Sequence, residues 1–355
     1  MRHKTLTVVV PTYNMEKYLR RCLDSLIVGE EGMAQLEVLV VNDGSKDSSS
    51  AIAHEYEARY PDTFRVIDKE NGHYGSCVNR GVEEARGRYI KILDADDCYD
   101  NAEFEKYVDT IKTVDVDMVL NDYAFIRPDG EIAGIRRYNY RGGEKFQFHK
   151  SGIKEVSMHA VAYKTDNLRR LDYRQAEGVA YTDQQWIFTP LFNVRSAYYM
   201  AGVLYMYNVG REGQAITGAE KISNQIRESI VVLKAMLNDF ANKERVAEAE
   251  EWAGNRLYYT MNSVYKTVLF DYGDEGNRAL REFDTYFKQT YPTLYEASNE
   301  RMSVTNIFRH AYLPYWRKNG KLDPRDIMVG LYKAFYRLKM RGDGRKYQPL
   351  KEPRD

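Results

Sequence analysis

Four apolar runs, separated by helix-length segments, dominate the first hundred residues. "LTVVVPTYN" (Leu6–Asn14) is a β-branched run stopped by Pro11. "MEKYLRRCLDSLIVG" follows, with Tyr18, Leu19, Cys22, Leu23 and Leu26 on one face at helical spacing. A second run, Leu36–Val41, leads through a polar turn into a helix starting near Asp47 or Ser48. "FRVIDKENGHYGSCVNRGVEEARGRYIKILDADD" then spells a third strand, a Gly-rich turn, a helix and a fourth strand. Such alternation over short links gives parallel strands joined by right-handed crossovers. The expected fold is therefore α/β: a Rossmann-like, mostly parallel sheet flanked by helices. Polar residues gather where the strands end, as "PTYN", "NDGS", "ENGHYG" and "DADD". In sheets of this kind ligands bind beyond the carboxyl ends of the strands.

Asn, Asp, Gly and Ser also make ordinary turns, and that accounts for the glycines. It does not account for Asp94, Asp96 and Asp97, three carboxylates within four positions, because like charges repel and raise one another's pKa. A cation is the simplest remedy. Asp94 and Asp96 are two apart, which puts them on one side of an extended chain. With few histidines or cysteines nearby, they suit a hard divalent cation, Mn2+ or Mg2+, that keeps positions open for phosphate oxygens. Asp97 is expected to cap the following segment "CYDNAEFEKYVDTI".

These residues carry a family resemblance. "VVVPTYN", "VVNDGSKDSS", "ENGHYGSCVNRGVEEARGRYIKILDADD" and a later "YTDQQW" together resemble a family-2 glycosyltransferase of the glycosyltransferase-A fold, of the bacterial glycan and cell-surface polysaccharide type. The resemblance spans Thr5 to Asp100, continues more patchily to about Thr217, and leaves the last third untouched. It implies an inverting transfer from a nucleotide-sugar donor, UDP-linked, to a hydroxyl of a saccharide or lipid-linked glycan, with Mn2+ or Mg2+ as cofactor. It further implies that Pro11, Thr12, Tyr13 and Asn14 line the nucleotide pocket. Asp43 would bond the pyrimidine base, facing the ligand rather than the core. Asn71 and Gly72 would lie near base or ribose, Asp94 would contact ribose or sugar hydroxyls, and Asp96, with Asp94, would hold the metal on the diphosphate. A metal bridging two phosphates neutralises charge as the leaving group departs. His73 and Tyr74 depart from the small residues such a turn normally carries; stacking on the base and packing are both open to them.

In "QAEGVAYTDQQWIFTPLFNV" the resemblance places a general base at Asp183. The family pattern has two acids here, and this chain has Thr182 before Asp183. An inverting transfer needs one carboxylate to take the acceptor proton during in-line attack. The bland reading of Asp183 is a helix N-cap. Trp186 reads as core. "YNVGREGQAIT" (Tyr207–Thr217) resembles a loop of bacterial family members, with Arg211 the cation near diphosphate or acceptor and Gln214 beside it. No histidine follows Asp183 before His310, so a histidine metal ligand is not evident, and His159 reads as a satisfied structural histidine.

The chain has 355 residues, more than one simple core usually holds. A catalytic domain is expected over 1–217, with a nucleotide-sugar half to about 100 and an acceptor half beyond it. A helical region follows over 218–355, where Ile222, Ile226, Ile230, Leu233, Leu237 and Phe240 form one stripe. Lys plus Arg (52) balances Asp plus Glu (52), so overall charge gives no pull toward nucleic acid. Between Arg309 and Asp355, however, 13 Lys or Arg face 5 Asp or Glu. An amphipathic helix is expected over 324–341, capped by Asp323 with Pro324 at its first position. Ile327, Leu331, Phe335 and Leu338 share one face, flanked by Lys333, Arg337, Lys339 and Arg341. That helix suits the anionic inner face of a cell membrane, or packing on the domain or on a second copy of the chain in a homo-dimer. Three widely spaced cysteines fit neither a disulfide framework nor a zinc site, and no apolar run approaches a membrane span or a signal-peptide core. A cytoplasmic location is expected. A nucleotidyltransferase would want a Gly-rich, basic turn after the first strand, and "PTYNMEKY" is neither. A non-catalytic nucleotide-sugar-binding subunit of a glycan assembly complex remains as the alternative; it should lack an acid at position 183.

Overall fold

The structure is a computed structural model that describes residues 4–138, 140–179, 182–210, 219–271, 273–302, 312–322, 327, 330, 331 and 334. The described parts of 1–215 and 244–252 form one compact unit, and those of 216–243 and 253–348 a second.

The first unit is organised by β1 (Lys4–Thr12), whose side chains are buried at eight of nine positions. Helices lie on both faces of such a strand, so it reads as a continuous apolar run rather than an alternating one. Along the chain follow α1 (Leu19–Asp24), α2 (Glu30–Gln35), β2 (Leu36–Asn42), α3 (Ser49–Arg59), β3 (Phe64–Asp68), α4 (His73–Glu84) and β4 (Gly87–Ile92). All four strand runs expected from the sequence are present. β1 pairs in parallel with β2 and with β4, and β2 pairs in parallel with β3. The four polar clusters therefore share one edge of the sheet.

The rest of the first unit continues the same sheet in mixed directions. Its elements are β5 (Cys98–Tyr99), α5 (Asn101–Ile111), β6 (Met118–Ile126), β7 (Ile132–Arg136), β8 (Lys145–Gln147), β9 (Val161–Lys164), α6 (Thr165–Arg170), α7 (Asp183–Trp186) and β10 (Ser196–Asn208). The strand order is β3-β2-β1-β4-β9-β6-β10-β5, with β7 on β6 and β8 on β10. β9 runs antiparallel between β4 and β6, while β10 is parallel to β6. α5 is capped by Asp100, whose carboxylate accepts from Glu103 N at 3.0 Å. The expectation that Asp97 caps this segment is thus corrected: the cap falls three residues later, and Asp97 is turned inward.

The second unit is helical, with α8 (Ala219–Asn242), α9 (Ala249–Asp271), α10 (Gly273–Thr290), α11 (Pro292–Arg301) and α12 (Tyr312–Asn319). Ile226, Leu233, Leu237 and Phe240 of the α8 stripe are buried and Ile230 is half-buried; Ile222 lies outside the described side chains. A buried Asp284 accepts from the Tyr265 and Tyr295 hydroxyls and from the Arg317 guanidinium, fastening α9, α10, α11 and α12 together. Of the expected basic helix, Ile327 and Leu331 are helical and exposed. Asp323, Pro324, Lys333, Phe335, Arg337, Leu338, Lys339 and Arg341 lie outside the described residues. Among the described residues no helix is long and apolar enough to cross a membrane.

One close approach matters for the site. α4 begins against the loop before α7: Gly178 N donates to Gly72 O at 3.0 Å, and Asn79 bonds Gln175 through both its amide groups. A Cβ at Gly75 would collide with the Ala176 carbonyl oxygen. Gly75→Ala should therefore cost about 1–3 kcal/mol through overpacking against backbone. Urea unfolding of the variant checks this, and an unchanged midpoint would show that the loop yields freely.

Candidate active site

Three polar clusters are joined by hydrogen bonds between loops. Asp43 N donates to Thr12 O at 2.8 Å, continuing the β1–β2 ladder past the strand ends. Asn14 N donates to Ser45 Oγ at 3.0 Å, and Lys46 N donates to Asn14 Oδ1 at 2.8 Å. Asn71 Nδ2 donates to Asp43 O at 3.0 Å. Asn14 and His73 both take left-handed backbone angles, φ 53° and 65°, which are uncommon without glycine and recur at functional loops. Pro11, Thr12, Tyr13, Asn14, Asp43, Asn71 and Gly72 thus converge at the ends of β1, β2 and β3.

Asp43 is only 2 % exposed. Its Oδ1 accepts from Lys69 Nζ at 2.6 Å and from Gly72 N at 2.9 Å. Through these two bonds the carboxylate also fixes the turn that starts α4. The sequence hid this because Lys69 lies 26 residues away.

The fourth cluster is where charge concentrates. Asp97 is buried, accepting from Tyr205 hydroxyl at 2.6 Å and from Asn208 N at 2.7 Å. Tyr205 in turn accepts from Asp94 N at 3.3 Å, and the Asn208 side chain donates to Asp96 O. Burial first, and then the charges of Asp94 and Asp96, hold the Asp97 carboxyl well above the usual range. Oxygens of Asp94 and Asp97 and a nitrogen of His159 lie within 4.8 Å of one another. Asp96 is not part of that convergence, although it is adjacent and 8 % exposed.

His159 departs from the structural role read from the sequence, because its ring reaches the carboxylate cluster. It stacks on Tyr207 with centroids 4.3 Å apart, meets Tyr205 at 4.7 Å, and shares a 3.0 Å hydrogen bond from Nδ1 with Ser157 Oγ. Burial, helped by the positive charge of Lys91, pushes the imidazole down to about 3. Lys91 itself is fully buried; Nζ donates to Asn121 Oδ1 at 2.9 Å, His159 O at 3.0 Å and Val161 O at 3.3 Å. Three donors meet three acceptors, so the ammonium pins the backbone that carries His159. Burial alone holds its pKa well below normal. Sequence reasoning missed Lys91, Tyr205 and Tyr207. The available signals were a lone charge inside the apolar "YIKIL" and two tyrosines spaced two apart at the end of a strand.

Tyr74 connects this cluster to Asp183. Its hydroxyl donates to Asp94 Oδ1 at 2.7 Å, so it does more than pack. Burial, the bonded Asp94 and then the charge of Asp183 push the phenol well above its ordinary range, which places Asp183 within electrostatic reach. Asp183 is the first residue of α7, and Thr182 takes the cap position, so the N-cap reading of Asp183 is set aside. Thr182 is buried, with its hydroxyl donating to Gln175 Oε1 at 2.5 Å. Arg211 and Gln214 lie outside the described residues.

Residues 7–170 match the family model described as Glycosyl transferase family 2. EpsH of Bacillus subtilis (strain 168) is 38 % identical over 231 residues, 59 % of this chain and 62 % of that protein. The uncharacterized glycosyltransferase EpsJ of the same organism is 35 % identical over 114 residues, 32 % of each. The chain thus spans less than two thirds of these relatives. A crystal structure of S. aureus TarS 1-349 in complex with UDP-GlcNAc superposes with a TM-score of 0.64 at 18 % identity, covering 97 % of this chain and 93 % of that one. That likeness shows the fold. Residues 7–170 are therefore similar to the family-2 glycosyltransferases, and the chain shares the fold of TarS, a mixed α/β unit followed by a helical C-terminal region.

The geometry predicts a structural cost at Asp43. Asp43→Ala leaves Gly72 N without its acceptor and Lys69 without its counter-charge, and should lower stability by about 1–3 kcal/mol. Thermal and urea melts test this; an unchanged midpoint would show that neither bond supports the fold.

Proposed function

We propose that the protein is an inverting glycosyltransferase that moves a sugar from a UDP-sugar to a hydroxyl of a saccharide or lipid-linked glycan. The observation that carries this reading is the cluster at the end of β4, where Tyr74 bonds Asp94 at 2.7 Å and Asp94, Asp97 and His159 converge; the charge of Asp183 also acts on the Tyr74 phenol. That TarS is solved with UDP-GlcNAc supports a UDP-linked donor.

In this reading Pro11, Thr12, Tyr13 and Asn14 hold the nucleotide, with Asn71 and Gly72 beside base or ribose. Asp43 presents Oδ2 to the base, since both of its described bonds use Oδ1. Asp94 orients ribose or sugar hydroxyls while Tyr74 fixes its carboxylate. Asp183 takes the proton of the acceptor hydroxyl as that oxygen attacks the anomeric carbon. The Thr182 hydroxyl bonds the Gln175 side chain, so the first acid of the family pattern is replaced by a neutral anchor. Arg211 is assigned to the diphosphate.

Asp94, Asp97 and His159 form a donor set that fits a divalent cation, with Asp96 as the neighbouring carboxylate. An imidazole beside carboxylates leans toward Mn2+ over the harder Mg2+. When bound, such an ion would neutralise charge on the departing diphosphate.

Two outcomes follow. Asp183→Asn should keep UDP affinity while turnover falls about 10²-fold or more. Turnover near that of the parent would move the base elsewhere, whereas UDP-sugar binding without any turnover in the parent would favour the non-catalytic subunit. In calorimetry, Asp96→Ala and His159→Ala should each reduce the gain in UDP affinity caused by Mn2+ about tenfold or more. An unreduced gain in either variant removes that side chain from the metal site.

A further inference from the structure

A cavity of about 390 Å3 opens in the acceptor half, between β6, the end of β7 and the loop 151–157. Its volume falls in the range of small-ligand sites. Its charge is lopsided: Arg136, Arg137 and Lys154 line it against a single carboxylate, Glu155. All three cations are exposed, and among the described residues none forms an ion pair. Arg137 senses the buried Asp122, but that carboxylate accepts from the Tyr199 hydroxyl at 2.7 Å, Tyr138 N at 3.3 Å and Gly202 N at 3.3 Å. Two guanidiniums and an ammonium around a concave space, outnumbering the single carboxylate that lines it and in no ion pair among the described residues, describe a receptor for anions.

The cavity is continuous with the site already described. Ser157, which lines it, shares the 3.0 Å bond with His159 Nδ1, and the Tyr123 ring lies 5.3 Å from the His159 ring. Tyr138, also on the wall, accepts from Ser157 N at 3.2 Å and so fixes this lip. The donor has its own floor at the ends of β1, β2 and β3, on the opposite side of β4 in the strand order. The cavity therefore faces the incoming acceptor rather than the nucleotide.

We infer that this cavity binds an anionic group of the acceptor, so that the preferred substrate is a saccharide or polyol chain carrying phosphodiester or carboxylate groups near the receiving hydroxyl. This rests on the glycosyl-transfer reading above. Guanidinium forks match either anion, and contacts at an exposed rim weaken with salt. A neutral glycan would leave the three cations unanswered.

The test uses the full chain with three probes of similar length: a glycerol-phosphate oligomer, a uronate-containing oligosaccharide and neutral maltohexaose. Affinities are measured calorimetrically at 50 and 500 mM NaCl, for the parent, for Arg136→Gln/Arg137→Gln and for Lys154→Gln, each with a melting curve to show that it is folded. The inference expects at least one anionic probe to bind the parent tenfold or more tighter than maltohexaose at low salt, and to lose that margin at high salt and in the double variant. The probe that wins distinguishes phosphodiester from carboxylate. Equal affinity for neutral and anionic probes, no binding of any probe, or full anionic affinity in both folded variants overturns it. UDP titrated into the parent keeps the two readings apart. Without UDP binding the glycosyl-transfer reading itself fails; with UDP binding and no anionic preference, only this inference fails.

Discussion

The structure turns on one electrostatic problem, the crowding of three carboxylates at the carboxyl end of a strand buried at all but one position. β4 delivers Asp94, Asp96 and Asp97 together, and water cannot screen charges that the sheet has already buried. The protein answers with hydroxyls and amides from β10. Tyr205 donates to Asp97 while accepting from Asp94 N, and Asn208 supplies both its backbone and its side-chain N–H groups. Asp97 is thereby held inward as an anchor, while Asp94 and Asp96 remain at the mouth. His159 completes the convergence because Lys91, buried beneath the sheet edge, fixes the carbonyl of that same residue.

The same arrangement joins the two halves of the domain. The loops at the ends of β1, β2 and β3 bind one another through Asn14, Asp43 and Asn71. The turn bearing Asp183 is docked on α4 by Gln175, Ala176 and Gly178, and Gly75 is the position that makes room for it. Tyr74 leaves that same helix to reach Asp94. α4 is therefore the element through which a candidate base and a donor cluster acquire a fixed separation, which is what in-line attack demands of a scaffold.

Much of this was legible in the chain. The strand–helix alternation read correctly because period-3.6 and β-branched runs are local signals, and the polar clusters marked the strand ends for the same reason. What could not be read were contacts of long sequence separation. Nothing near Asp43 in the chain announces Lys69 as its partner, 26 residues on. Asp97 looked like a helix cap because Asp is a good cap residue, yet Asp100 took that role and Tyr205, 108 residues away, claimed Asp97. His159 looked structural because the histidine was sought after Asp183, whereas the antiparallel insertion of β9 between β4 and β6 brings it in from before. Antiparallel insertion into a parallel run leaves no periodic trace, so such a neighbour emerges only from the fold.

The central claim is that the carboxylate cluster at the end of β4 is a cation and diphosphate site serving a UDP-sugar. Crystals of the full chain grown with UDP and MnCl2, with diffraction collected at the manganese absorption edge, address it most directly. The account predicts an anomalous peak within about 2.5 Å of donor atoms from the Asp94, Asp96, Asp97 and His159 group, in contact with the diphosphate. Bound UDP with no anomalous peak at that cluster, or a peak remote from the end of β4, would contradict it.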